Sequence, residues 1–166
     1  MKDITTLLRA PLYLRQWLTA RFGCPVRFPP RSAENALLRQ LMARPPAGAE
    51  PSCEGECVAI VLPDCRLRKP EHYHHLSRRS RAALLSQLDG LFRLQLWRDM
   101  APALLGVVPL GQALEGWCAE NGIGVDGLDA VSKKFYRMRR EYARCGIVLG
   151  RTNTPRTSQI PHTQAV

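Results

Sequence analysis
The chain reads as a mainly α-helical protein with a small β element and a C-terminal helix-turn-helix-like helix pair. Three observations predict this. Apolar residues recur at three- and four-residue steps over long stretches, the periodicity of a helix that buries one face. Only "PVRF" and "CVAIVLP" have the short, β-branched, proline-bounded character of strands. Two amphipathic stretches near the C-terminus are joined by "NGIG", a glycine turn of the kind found between paired helices.

Residues 1–62 are expected to hold the N-terminal helices and the β element. From residue 4 to 22, Leu8, Leu12, Leu14, Trp17, Leu18 and Phe22 follow helical spacing, and Gly23 with Pro25 ends the run. "PVRF" is extended and is closed by Pro29 and Pro30. Ser32 then caps a helix through "AENALLRQLMAR", with Glu34 in its first turn where the dipole favours an acid. Residues 45–56 are a loop by composition, and "CVAIVLP" is a strand that pairs with "PVRF" if a helix lies beneath the two.

Residues 63–108 are read as a linker and a long central helix from Ser80, as its N-cap, to about Met100. Leu84, Leu85, Leu88, Leu91, Phe92, Leu96 and Trp97 give that helix a wide apolar stripe. "APALLGVVPLG" connects it to residues 109–148, the helix-turn-helix-like unit, where Pro109 starts the first helix and Asn121–Gly122 ends it. The second helix is predicted from about Gly127 to Cys145, with Leu128, Val131, Phe135, Met138 and Tyr142 on its packing stripe. Gly122, Gly124 and Gly127 leave the joint loose on this reading. Residues 149–166 are nearly devoid of apolar side chains and are expected to be a disordered tail.

Charge narrows the function. Lys plus Arg number 24 against 14 acids in 166 residues, a net +10 with a pI near 9.9. A pI above about 9 is a first mark of a nucleic-acid binder. Only four of the cations are lysines, and arginine is the side chain whose planar fork matches phosphate. Half of the 24 fall in two short segments, 66–81 and 133–144.

In the second segment, Lys133, Arg137, Arg140 and Arg144 lie nearly opposite the apolar stripe at about 100° per residue, with Lys134 and Arg139 flanking. Such a helix fits a DNA major groove, with Arg to guanine or to phosphate. Glu141 is the one acid expected to pair within this face, with Arg137 or Arg144. The first segment poses a different question. "HYHHLSRRSR" puts Arg78, Arg79 and Arg81 at the N-terminus of the central helix, where each cation costs roughly 0.3–1 kcal/mol against the dipole. Backbone phosphates at that helix end would make the arrangement favourable, with Tyr73 and the three histidines as donors or stacking surfaces.

Other classes find less support. There is no phosphate-cradling glycine loop, no H-E-x-x-H and no G-x-S-x-G, and only Asp64 and Glu71 resemble a carboxylate pair, so no enzyme, no catalytic residue and no cofactor are expected. Cys53, Cys57 and Cys65 with His72, His74 or His75 have the right donor types for zinc, but their spacing matches no standard finger, so no metal is expected. The N-terminus has no continuous apolar core for a signal peptide, and no stretch reaches about 18 uninterrupted apolar residues, so neither export nor membrane contact is expected. All six cysteines are therefore read as reduced thiols of a cytoplasmic protein.

The blocks "FGCPVRFPPRSAENALL", "YHHLSRRSRAALL" with "LFRLQLWRDM", and "NGIGVDGLDAVSKKFYRMRREY" resemble a group of small basic proteins from Mu-like prophages and mobile elements of gut bacteria. The resemblance covers most of residues 12–145. It implies a phage or transposon setting and carries over no functional residue. The expected function is duplex-DNA binding as a regulatory or accessory factor, with a homo-oligomer possible. The alternatives are a structural or assembly protein of a phage particle and, below it, single-strand DNA or RNA binding.

Overall fold
A computed structural model of the chain describes residues 3–48, 55–106 and 108–147. It is mainly helical with one two-stranded sheet. The predicted tail, 149–166, and most of the loop after residue 48 lie outside the described residues.

The first departure from expectation comes at residues 5–9. They form β1 (Thr5–Arg9), and α1 spans only Leu12–Phe22. Thr5 and Thr6 are β-branched, and Pro11 pushes its predecessor out of helical backbone. Helix starts from Pro11 itself, whose carbonyl accepts from Leu14 and Arg15. Burial along β1 alternates, with Thr6 and Leu8 inward. Leu8 fits both periodicities, which is why the stretch reads as helix from sequence.

After α2 (Ala33–Leu41), capped by Ser32 accepting from the Asn35 amide as expected, β2 (Cys57–Val61) runs antiparallel to β1 with Thr5 opposite Val61 and Arg9 opposite Cys57. "PVRF" touches β2 only through a single parallel bridge, Val26 to Ile60. The strand partner was thus a segment taken for helix. α1 packs beneath the ribbon, burying Leu14 and Leu18 completely.

The central helix, α3, spans Arg78–Met100. Its cap is Ser77, not Ser80: the Ser77 hydroxyl accepts from the Ser80 amide at 3.1 Å. The cap and the helix therefore begin three residues earlier than predicted, with Arg78 and Arg79 as the first two helical residues. Leu84, Leu88, Phe92, Leu96 and Met100 line its buried side at every fourth position. Phe92 is the hub. Its ring lies 5.0 Å from Tyr13, 5.5 Å from Trp17 and 5.7 Å from Trp117, tilted or edge-on, the favoured aromatic geometries.

A short 3-10 turn, Pro102–Leu105, leads to α4 (Leu110–Glu120) and α5 (Val125–Arg144). Pro109 sits just outside α4 as its cap residue rather than at its first position. One buried cluster draws on β1, α1, α2, β2 and α3–α5 together.

The joint between α4 and α5 is the opposite of loose. The Ile123 amide donates to the Cys118 carbonyl at 2.9 Å and the Gly122 amide to the Ala119 carbonyl at 3.2 Å, a double closure of the helix end. Gly122 takes a φ of +71°, and Ile123 is buried. A β-carbon on Gly122 would stand 2.4 Å from the Ala20 methyl of α1, and one on Gly127 would stand 2.6 Å from Ile123 Cγ2 and 3.0 Å from Gln16 Oε1. The Gly124 amide donates to Gln16 Oε1 at 3.2 Å. These glycines are points of close approach to α1 rather than sources of freedom.

Candidate nucleic-acid interface
α5 is placed by its apolar side. Val131, Phe135 and Met138 are buried, and the Tyr142 ring stacks on Trp97 at 4.2 Å. That orientation puts Lys133, Arg137, Arg140 and Arg144 on the exposed side, as expected. Arg137, Arg140 and Arg144 have no carboxylate within ion-pair reach among the described residues. Glu141, expected to neutralise one of them, turns instead to Arg93 of α3 at 3.0 Å. At about 100° per residue it lies towards α3 rather than on the outer sector.

Two of the site residues fare differently. Lys134 is withdrawn from the surface and is corrected to a packing role. Its Nζ donates to both Asp89 oxygens, at 2.8 and 3.0 Å, and lies 5.4 Å from the centre of the Tyr13 ring. The Tyr13 hydroxyl donates to the same carboxylate at 2.8 Å, and burial together with that carboxylate pushes the phenol well above its ordinary range. This cluster joins α1, α3 and α5. Lys133 remains exposed but pairs with Asp129 one turn back, at 2.7 Å. Both partners are largely solvated, so the pair is worth only about 0.3–0.5 kcal/mol.

Asp129 and Asp126 correct a second expectation, that Glu141 is the one acid pairing within this face. Both are exposed and fall on the outward sector of α5. The face is therefore graded, acidic in its first turns and cationic in its last three. The aspartates were legible four and seven residues before Lys133.

The arginines at the start of α3 answer the question they pose in part. Arg78 and Arg79 are exposed, and Arg81 is half-buried. Arg78 and Arg81 line a hollow of about 740 Å³ with Arg9, over a floor that includes Leu8, Ala10 and Leu85. Arg9 comes from the end of β1 and was missed because only tertiary folding brings it there. Other cations of the first segment are spent locally. Arg68 donates to the carbonyls of Arg39, Gln40 and Met42 beyond and at the end of α2, where a cation is favoured. The Tyr73 ring is covered by Arg44 at 5.3 Å, so it is not an open stacking surface.

The two cationic groups do not merge. Lys134 meets Asp89, 45 positions back in the chain, and Tyr142 meets Trp97 at the same separation. α3 and α5 therefore run in the same direction, with Arg78 level with the start of α5. At 1.5 Å per residue, Arg78 lies roughly 20–30 Å along the axis from Arg137–Arg144. The expectation that the α3 end sits beside the cationic turns of α5 is corrected to two separate patches.

The cysteines are also revised. Cys57, half-buried at the start of β2, is disulfide-bonded, so the reading of six reduced thiols fails there. Its sulfur is no longer a thiolate ligand, and among the described residues no three His, Cys, Asp or Glu side chains converge as a metal site; Cys53 lies outside them. Cys24, Cys65, Cys118 and Cys145 are free. The Cys65 thiol is pulled below its ordinary range by the Leu67 and Arg68 amides, whereas burial pushes Cys118 up to about 11. At pH 8 a thiol of that kind is ionised in about one molecule in a thousand. Brief iodoacetamide treatment of the folded protein is expected to alkylate Cys65 and spare Cys118 until denaturant is added, read by peptide mass mapping. Equal rates at the two would contradict this placement.

No helix among the described residues is long and apolar enough to cross a membrane. No protein-family model, no curated protein and no solved structure matches this chain.

Proposed function
We propose that the chain is a non-enzymatic duplex-DNA-binding protein that holds the duplex through the outer face of α5. The single observation that carries this reading is the exposed row Arg137, Arg140 and Arg144, without acidic partners among the described residues, on a helix whose opposite side is locked into the core. Unpaired guanidinium groups have no ion pair to break on meeting phosphate, and the helix that carries them is already ordered, so only side-chain freedom is lost. Arg78 and Arg79 form a second, weaker backbone contact, and their separation from α5 is less than one helical turn of duplex, about 34 Å. The resemblance to small basic proteins of prophages and mobile elements implies a phage or transposon setting, which suits a regulatory or accessory role and equally admits a structural virion protein. A cytoplasmic setting belongs to the same proposal; the four free cysteines favour it and the Cys57 disulfide counts against it.

The test is a mobility-shift series at about 50 mM salt, where phosphate contacts are strongest, with duplex, single-strand and RNA probes. Duplex is expected to bind best. Single strands want exposed aromatic platforms, and on α5 only Tyr136 is open. Failure to shift any duplex would sink the reading. One observation favours the rival, a self-associating structural protein: Leu105 and Val108, in the connector before α4, are 70% and 53% exposed. Sedimentation as an oligomer without DNA, together with no shift, would select it.

A further inference from the structure
We infer that α5 meets the duplex along its phosphate backbone with its last two turns and reads no base sequence. This rests on the reading that the outer face of α5 binds duplex DNA.

The second helix of a helix-turn-helix pair reads bases with its N-terminal residues. The first turns of α5 are poorly suited to this. Asp126 and Asp129 stand on the outward sector and would face the phosphates that wall the groove. The entry to the helix is also tied sideways. Gly124 is hydrogen-bonded to Gln16, and Gly127 has no room for a methyl group beside Ile123 and Gln16, so α1 flanks the start of α5. Tilting the helix to bring its first turns deeper would move α1 towards the duplex as well.

The last two turns suit a strand. From Arg137 to Arg144 the axis advances about 10 Å; phosphates recur every 3.4 Å or so of duplex axis, but the strand winds, so one phosphate lies roughly 6–7 Å from the next and about two fall within that length. The three long, exposed arginine side chains cover these and one flanking phosphate. Tyr136 is exposed one position before Arg137, and its hydroxyl adds a neutral donor to the same side. Lys133 joins them more weakly, because the Asp129 carboxylate one turn back offsets its charge. The gradient of charge along the face thus sets which end of α5 approaches the polyanion, independently of the bases.

Fluorescence anisotropy with three unrelated duplexes of equal length, titrated over salt, tests this on the full chain. The wild type is expected to bind all three within about threefold; three phosphate contacts from α5 contribute roughly −2.7 to the log–log salt slope, and the weaker contacts of Arg78 and Arg79 up to roughly −1.8 more. Asp129→Asn leaves the Lys133 charge unopposed, so binding should tighten and the slope steepen by up to roughly 0.9. Asp126→Asn should tighten binding with little change of slope. Circular dichroism should be unchanged in both. A preference above about tenfold for one duplex would overturn the inference. So would weaker binding by either variant, since a carboxylate that reads a base accepts from cytosine N4. A wild type that binds no duplex at about 50 mM salt would instead remove the duplex reading beneath it.

Discussion

Reversing the charge of Arg137 and Arg140 together (Arg137→Glu, Arg140→Glu) is expected to weaken duplex binding by at least about 100-fold at low salt, with the circular dichroism spectrum unchanged. Each substitution replaces an attraction by a repulsion. At about 4 Å in bulk water a pair of unit charges is worth roughly 1 kcal/mol, so the swing is about 2 kcal/mol per residue before screening. Both side chains are exposed and neither has an ion-pair partner among the described residues, so neither substitution breaks a contact of the folded chain. That separates this pair from Lys134, where the same change would place a carboxylate beside Asp89 at the edge of the core. A loss smaller than about fivefold would show that the outer face of α5 is only a solvated surface.

Replacing Gly122 by alanine should cost roughly 2–5 kcal/mol, a large share of the 5–15 kcal/mol typical of a folded domain. Two effects add. A φ of +71° puts an alanine in left-handed backbone, at about 1–2 kcal/mol. The new methyl also meets the Ala20 methyl at 2.4 Å, and because neither group can rotate away the helices α1 and α4 must shift, at roughly 1–3 kcal/mol. The double variant Gly122→Ala with Ala20→Gly should recover the second part only, less about 1 kcal/mol for a glycine inside α1. Gly116→Ala is the control. Gly116 lies exposed within α4 with nothing within 4 Å, so alanine there should stabilise by about 0.5–1 kcal/mol. Urea denaturation of the four proteins measures all of this. An unchanged midpoint for Gly122→Ala would mean that α4 and α5 are not docked on α1 in this way.

The two expectations show where sequence reading succeeds and where it stops. The periodicity of α3 and α5 is visible because their packing residues are large, numerous and regularly spaced, and the cations opposite them follow from the same geometry. β1 was taken for helix because two apolar residues in five do not distinguish a period of two from one of 3.6. The glycines of the α4–α5 joint were misjudged because glycine has two opposite uses, and only the neighbour decides between them. Nothing local to "NGIG" mentions Ala20 or Gln16, more than a hundred residues away.

Charge divides in the same manner. Net basicity, the abundance of arginine and the cationic row of α5 are properties of composition and of one helix, and the chain determines them unaided. Which cations stay available is a property of the folded molecule. Lys134 turns inward to Asp89, Glu141 turns away to Arg93, Arg68 closes the end of α2, and Arg9 arrives beside Arg78 from a strand far away in sequence. The reason is physical: a hydrophobic stripe orients its helix whatever it packs against, whereas an ion pair needs one particular partner brought within a few ångströms, and that happens only when distant segments meet.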